Sequence, residues 1–174
     1  MEQFSEERAE EFNRDIKRLR TQILLYMSHQ ETLQTLKALI SEGYTAKMSV
    51  SYGIESVMPK GDAGERVDPL DAYIDRKVRL EERIETISEK MNIVDEMLNY
   101  AYVTEGSERK LCIDEDDMQL IRHIMSGGSM RQFAFDKGWS PNKPQYRFKR
   151  AVQQIVYLRM VRTYQDEISE IAQK

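Results

Sequence analysis

The chain has 174 residues, of which 40% are apolar and 32% are charged, and its formal net charge is −4. This composition is typical of a helical protein with long solvated faces, and the content of only 8 glycines and 4 prolines argues against a turn-rich β-sandwich. No apolar run approaches the roughly 18 residues that span a bilayer. The single cysteine, Cys112, excludes an internal disulfide. We therefore expect a cytoplasmic protein without membrane contact.

The first predicted element is one long helix, from about Phe4 to Ser41. Apolar residues recur in it at alternating spacings of three and four, which is the heptad seam of a coiled coil. Polar Gln30 and Lys37 occupy two positions of the seam, and Gly43 is the predicted stop signal. The apolar seam residues are Phe12, Ile16, Leu19, Ile23, Tyr26, Leu33 and Ile40.

An irregular loop is predicted from about 43 to 67, although apolar residues alternate within 48–54 as they would in a short strand. Asp68 and Pro69 then supply a side-chain cap and the first position of a second long helix. Its seam again steps by three and four, with Lys77 as the polar exception. The apolar members are Leu70, Tyr73, Leu80, Ile84, Ile87, Met91, Val94, Leu98 and Ala101.

Two long helices joined by a loop predict an antiparallel coiled-coil hairpin over residues 1–103, in which Ile23 meets the neighbourhood of Ile87. A homodimer is the alternative use of the same seams. Residues 104–113 combine glycine, serine and mixed charges and are predicted to be a linker. The predicted fold class is therefore all-α, with the hairpin followed by a small helix-turn-helix domain and a C-terminal helix extension at 114–174.

Three helices are predicted within this C-terminal domain. Asp114, Ser129 and Ser140 are the expected N-caps, and Gly138 is expected to form the left-handed turn between the second and third helices. Trp139 is expected to be a buried plug beside that turn. The expected inward-facing side chains are Met118, Ile121, Ile124, Met125, Met130, Phe133, Ala134, Phe148, Val152 and Ile155.

The same domain is strongly basic, because between Ser129 and Thr163 the only acid is Asp136. Phosphates respond to the nearest charged face, and salt screens charges beyond about 10 Å, so this local excess outweighs the net charge. A helix-turn-helix would insert its third helix into the major groove of double-stranded DNA. The predicted DNA-binding residues are Arg131, Ser140, Asn142, Lys143, Gln145, Tyr146, Arg147, Lys149 and Arg150, with Arg159 as a further phosphate contact.

Two residues depart from the usual helix-turn-helix pattern. Lys137 stands where an apolar residue is usual, and Pro144 stands where the third helix usually has a branched core residue. Because proline restricts the residue before it and lacks a donor, either the helix begins near Pro144, one turn late, or the proline lies in a distorted first turn. The DNA-facing set then shifts by a residue or two. A basic three-helix unit that binds only proteins is the alternative interpretation.

The C-terminal segment resembles the sigma-factor-type helix-turn-helix. The stretch MPKGDAGERVDPLDAYIDRKVRLEERI, at 58–84, resembles the Met-Pro-x-Gly…Asp-Pro loop and following helix of the ArpU/RinA-like phage late-gene transcriptional regulators. The order of long helix, loop, long helix and helix-turn-helix is also that of this family, and the resemblance covers roughly residues 52–157. It implies a phage or prophage protein that activates late genes in a bacterial host. Host RNA polymerase is a candidate protein partner, above all if the chain is an adaptor.

No catalytic, cofactor or metal site is expected. His29 and His123 are isolated, and the glycines near 61–64 lack the Lys-Ser/Thr ending of a phosphate loop. An enzyme is therefore not predicted. Two other functions remain open beside the regulator: a phage terminase small subunit that recognises a packaging site as a ring, and a coiled-coil adaptor that binds only proteins.

Overall fold

The computed structural model describes residues 2–42, 69–105 and 108–172. This part of the chain is mostly helical, which confirms the helical class, but it also contains a two-stranded sheet. The predicted loop at 43–67, including the alternating stretch 48–54 and the cap Asp68, lies outside the described residues. The elements are α1 (Glu2–Glu42), α2 (Pro69–Asn99), β1 (Tyr102–Glu105), β2 (Glu108–Leu111), α3 (Glu115–Met125), α4 (Met130–Asp136) and α5 (Lys143–Ala172).

The chain divides into two compact units, Met1–Ser28 with Lys90–Lys174 and, separately, His29–Glu89. The core and the candidate site described below both belong to the first unit. None of the described helices combines the length and the apolar content that crossing a bilayer requires.

In both long helices, the described apolar residues of the predicted seam are more buried than most of the other residues. In the first unit, Leu19 and Ile23 of α1 are buried in one core with Val94 and Met97 of α2. The Tyr26 hydroxyl donates to the Asp95 carboxylate at 3.2 Å, which places these two residues side by side. Burial and the nearby Asp95 charge raise the pKa of Tyr26.

Ile23 and Ile87 belong to different units of the chain, so the expected approach of Ile23 to the neighbourhood of Ile87 stays a prediction. Ile23 shares its core with Val94 and Met97, about two turns or more further along α2 than Ile87. Heptad spacing establishes which face of a helix is apolar, but it leaves the axial register between two helices open.

Residues 104–105 and 108–111 of the predicted linker instead belong to two antiparallel strands, in which Tyr102 pairs with Leu111 and Glu105 with Glu108. Tyr, Val and Thr at the start of β1 favour extended structure. The sheet is anchored by its side chains: the Arg109 guanidinium lies 4.2 Å from the Tyr102 ring and donates to Asn99 Oδ1 at 2.6 Å. The charged residues that suggested a linker include Glu108, Arg109 and Lys110 of β2, all of which are exposed.

α3 begins as its sequence predicts. The Asp114 carboxylate accepts a hydrogen bond from the Asp116 amide at 2.9 Å, which caps the helix. After Met125 the chain turns through Gly127, whose φ of 84° is in the left-handed region that favours glycine. The inward face contains the expected Met118, Ile121 and Ile124, and also buries Leu120 and Asp117.

α4 is a short helix whose position depends on its cap and on the turn that follows. The Ser129 hydroxyl accepts from the Gln132 amide at 3.1 Å. Phe133 and Ala134 are buried, and Gly138 has a φ of 64° in the left-handed turn, as predicted. Trp139 is only half-buried rather than a fully buried plug, with its ring edge-on to Phe133 at 5.6 Å between centroids.

α5 begins at Lys143, so Pro144 lies in the first turn, where its missing amide hydrogen costs no helical hydrogen bond. Its ring is fully buried, which explains how proline replaces a branched core residue. The expected N-cap, Ser140, is three residues before the start of α5, so the prediction that it caps the helix is wrong; its carbonyl instead accepts from the Lys143 amide at 3.0 Å as the chain enters the helix. Phe148, Val152 and Ile155 form the inner face as expected, together with Ala151 and Val156. The three helices α3, α4 and α5 all contact one another.

Candidate nucleic-acid interface

The outward side of α5 is an exposed basic and aromatic surface. Because Phe148, Val152 and Ile155 face the core, the residues half a turn away from them face solvent. Tyr146 is 69% exposed and Tyr157 is 61% exposed. The spacing of four, three and four puts both tyrosines on one stripe with two further residues. We call this stripe and its neighbour Lys149 the α5 face: Tyr146, Lys149, Arg150, Gln153 and Tyr157.

The residues that lead into α5 extend this surface. Ser140, Asn142, Lys143 and Gln145 are all exposed, as a DNA-contacting set requires. The Lys143 ammonium lies 4.4 Å from the centroid of the Trp139 ring, so the cation is held near the start of the helix while it remains exposed. Asn and Gln amides can pair bidentately with adenine, and a lysine ammonium can reach guanine.

Arg131 is exposed on α4 and lies on the side of that helix opposite Phe133. Phe135, one turn further along, shares this outer side and is 82% exposed. α4 therefore contributes one predicted phosphate-binding cation to the surface, next to an apolar side chain that the core does not use.

Arg147 is a predicted DNA-binding residue that the structure assigns to another contact. Its Nε donates to the buried Asp117 carboxylate, and its Nη2 lies 2.6 Å from Asp114 Oδ1. Only 18% of the arginine side chain is exposed. Burial raises the pKa of Asp117, while the arginine hydrogen bond opposes that shift. Arg147 therefore joins α5 to the start of α3, and the pattern on α5 alone could not reveal a partner 30 residues earlier.

Lys137, the other departure from the usual pattern, also contacts the start of α3. Its Nζ lies 2.7 Å from Asp116 Oδ1 and 2.8 Å from Gln119 Oε1. The hydrogen bond from Lys137 lowers the pKa of Asp116, and the charges of Arg147 and Lys143 add to the effect. The position tolerates lysine because it is the C-cap of α4, from which a long side chain reaches the neighbouring helix.

Arg159, a predicted phosphate contact, is likewise paired with acids. Its guanidinium donates to Asp15 on α1, and Glu11 lies 3.9 Å from Nη2. One turn further along α5, Arg8 of α1 lies over the Tyr164 ring at 4.9 Å. The α5 face thus ends where α1 approaches the helix.

No protein-family model, no curated protein and no solved structure matches this chain. The function is therefore inferred from the residues of the surface itself. In the described residues no group of three or more His, Cys, Asp or Glu side chains is arranged to hold a metal ion.

Sequence reasoning found most of this surface but missed its far end. The predicted DNA-binding residues that the structure exposes are Ser140, Asn142, Lys143, Gln145, Tyr146, Lys149, Arg150 and Arg131. Gln153 and Tyr157 were not in the predicted set. Their positions seven and eleven residues after Tyr146 were the signal that could have identified them.

Proposed function

We propose that this protein is a sequence-specific transcription regulator that binds duplex DNA through a helix-turn-helix formed by α4, the turn at Gly138 and α5. The single observation that carries the proposal is the α5 face. Its lysine, its arginine and both of its tyrosines are exposed, and no acidic residue occurs in the chain between Lys137 and Gln165. Phosphates favour such a surface, and its amide and lysine side chains are those that read base edges.

The arrangement of the helices supports the same proposal. A short capped helix, a left-handed glycine turn and a longer helix packed on a third helix are the components of a helix-turn-helix. The resemblance of 58–84 to the ArpU/RinA-like regulators extends the proposal to activation of phage or prophage late genes in a bacterial host.

The expected salt dependence of DNA binding follows from the number of cations that are not paired with acidic residues. Arg147 and Arg159 are engaged by acids, which leaves Arg131, Lys143, Lys149 and Arg150 as exposed cations near α5. Four phosphate contacts give a salt slope of about −3.6, or a loss of about 100- to 200-fold in affinity between 50 and 200 mM salt.

Fluorescence anisotropy with a labelled random duplex tests the proposal across this salt range. Lys149→Gln should weaken binding and reduce the salt slope by about one. Lys110→Gln is the matched control, since Lys110 is an exposed lysine that belongs to β2 and not to the helices of the proposed helix-turn-helix. Absence of DNA binding at 50 mM salt would refute the proposal and favour a protein-binding adaptor. A ring of many subunits in light scattering would favour a terminase small subunit.

A further inference from the structure

The α5 face is long enough to contact DNA well beyond the first turn of the helix. From Tyr146 to Tyr157 it extends over about 16 Å along the helix axis, given a rise of 1.5 Å per residue. The major groove is about 12 Å wide. Tyr146, Arg150, Gln153 and Tyr157 form one stripe along this length, with both terminal tyrosines exposed.

Acidic residues lie beside the start of α5, which makes DNA binding through the first turn of this helix alone unfavourable. Arg147 holds Asp114 and Asp117 beside the first turns, and Asp116 and Glu115 belong to the same acidic helix start. Contact through the tip of α5 alone would bring these carboxylates toward phosphates and create like-charge repulsion.

The acidic group lies on one flank of α5 only. Arg147 is about 100° around the helix from Tyr146, on the side where Gln154 also lies. Gln153 lies within the stripe itself, on the side away from the acids. Gln153 and Gln154 are adjacent and both half-buried, so substitutions of the two provide a matched comparison of the two sides of α5.

Given the proposed DNA binding, on which this inference rests, we infer that α5 lies lengthwise in the major groove and that Gln153 and Tyr157 also contact the DNA. Gln153 reads a base edge, for which its amide suits adenine. Tyr157 contacts the sugar-phosphate backbone through its hydroxyl. The base-reading set thus extends from Asn142 to Gln153 rather than ending near Lys149.

Selection of bound sequences from random duplexes, with the full-length protein, tests this inference. Gln153→Ala should change the preferred base at a position that Gln145→Ala leaves unchanged, and should weaken binding to the wild-type site by about 5- to 150-fold. Gln153→Lys should move that preference from adenine toward guanine. Gln154→Ala should select the wild-type sequence with wild-type affinity.

Tyr157→Phe provides an independent measurement, because it removes only the hydroxyl. It should weaken binding to all sequences similarly, without a change in base preference. If the wild-type protein binds DNA but all these variants select the same sequence with affinities within twofold of it, lengthwise docking is wrong while the proposed function stands. If the wild-type protein does not bind DNA, both fail.

Discussion

The buried ion pair between Asp117 and Arg147 gives the most direct test of how α5 is held in place. Asp117 is 1% exposed and Arg147 is 18% exposed. Removing one partner of a buried pair costs about 3–5 kcal/mol, because the other charge is left without compensation. Arg147 keeps Asp114 as a second partner and some contact with water. We therefore expect Asp117→Ala to lower the free energy of unfolding by about 2–3 kcal/mol.

Urea denaturation of four proteins measures this effect: wild type, Asp117→Ala, Arg147→Met and the double variant. The double variant should be more stable than the sum of the single effects predicts, by about 1–2 kcal/mol, since neither charge is then left alone. Asp116→Ala is a neighbouring control whose carboxylate pairs at the surface, and it should change the stability far less. Additive effects of the two buried substitutions would refute the ion pair as the link between α3 and α5.

Three further substitutions test other parts of the same unit. Ala134→Leu should cost about 1–3 kcal/mol in a denaturant melt, because Ala134 is 3% exposed and a larger side chain overfills its site; an unchanged melt would mean that α4 is wrongly placed. Lys137 lowers the pKa of Asp116, so this carboxylate stabilises the fold at neutral pH and loses its contribution as the pH falls below about 4. Lys137→Met should raise the Asp116 pKa toward its usual range in an NMR titration, and no change would contradict the pairing. Arg159→Ala should lower the stability of the protein and leave the salt slope of DNA binding unchanged, since Arg159 binds Asp15 and Glu11. A salt slope that is smaller by about one would instead show that Arg159 contacts a phosphate.

Local signals in the sequence predicted the helices and the caps of α3 and α4, although α5 begins three residues later than its expected cap. Asp114 and Ser129 are caps because their side chains accept from amides two or three residues later, which depends only on nearby residues. Gly138 adopts the left-handed conformation for the same local reason. The inner face of α5 follows from the spacing of Phe148 and Val152.

The errors arose where distant residues decide the outcome. The strands β1 and β2 are stabilised by a contact outside the sheet, in which Arg122 Nη2 donates to the Tyr102 hydroxyl at 2.7 Å. Because the strands themselves are short and charged, their own sequence did not predict a sheet. The partners of Arg147 likewise lie on another helix, and a pattern within one helix contains no information about them.

The distribution of charge shows why an acidic chain is compatible with the proposed DNA binding. Counting bases along 129–163 overstates the positive charge that a phosphate would meet, since Lys137, Arg147 and Arg159 are each bound to carboxylates. The same pairs offset part of the acidic charge at the start of α3 and on α1. The positive charge that remains near α5 is concentrated around the α5 face, because the core occupies the opposite side of this helix. Binding should therefore depend on a few cations on one side of one helix, and the net charge of −4 should affect it little.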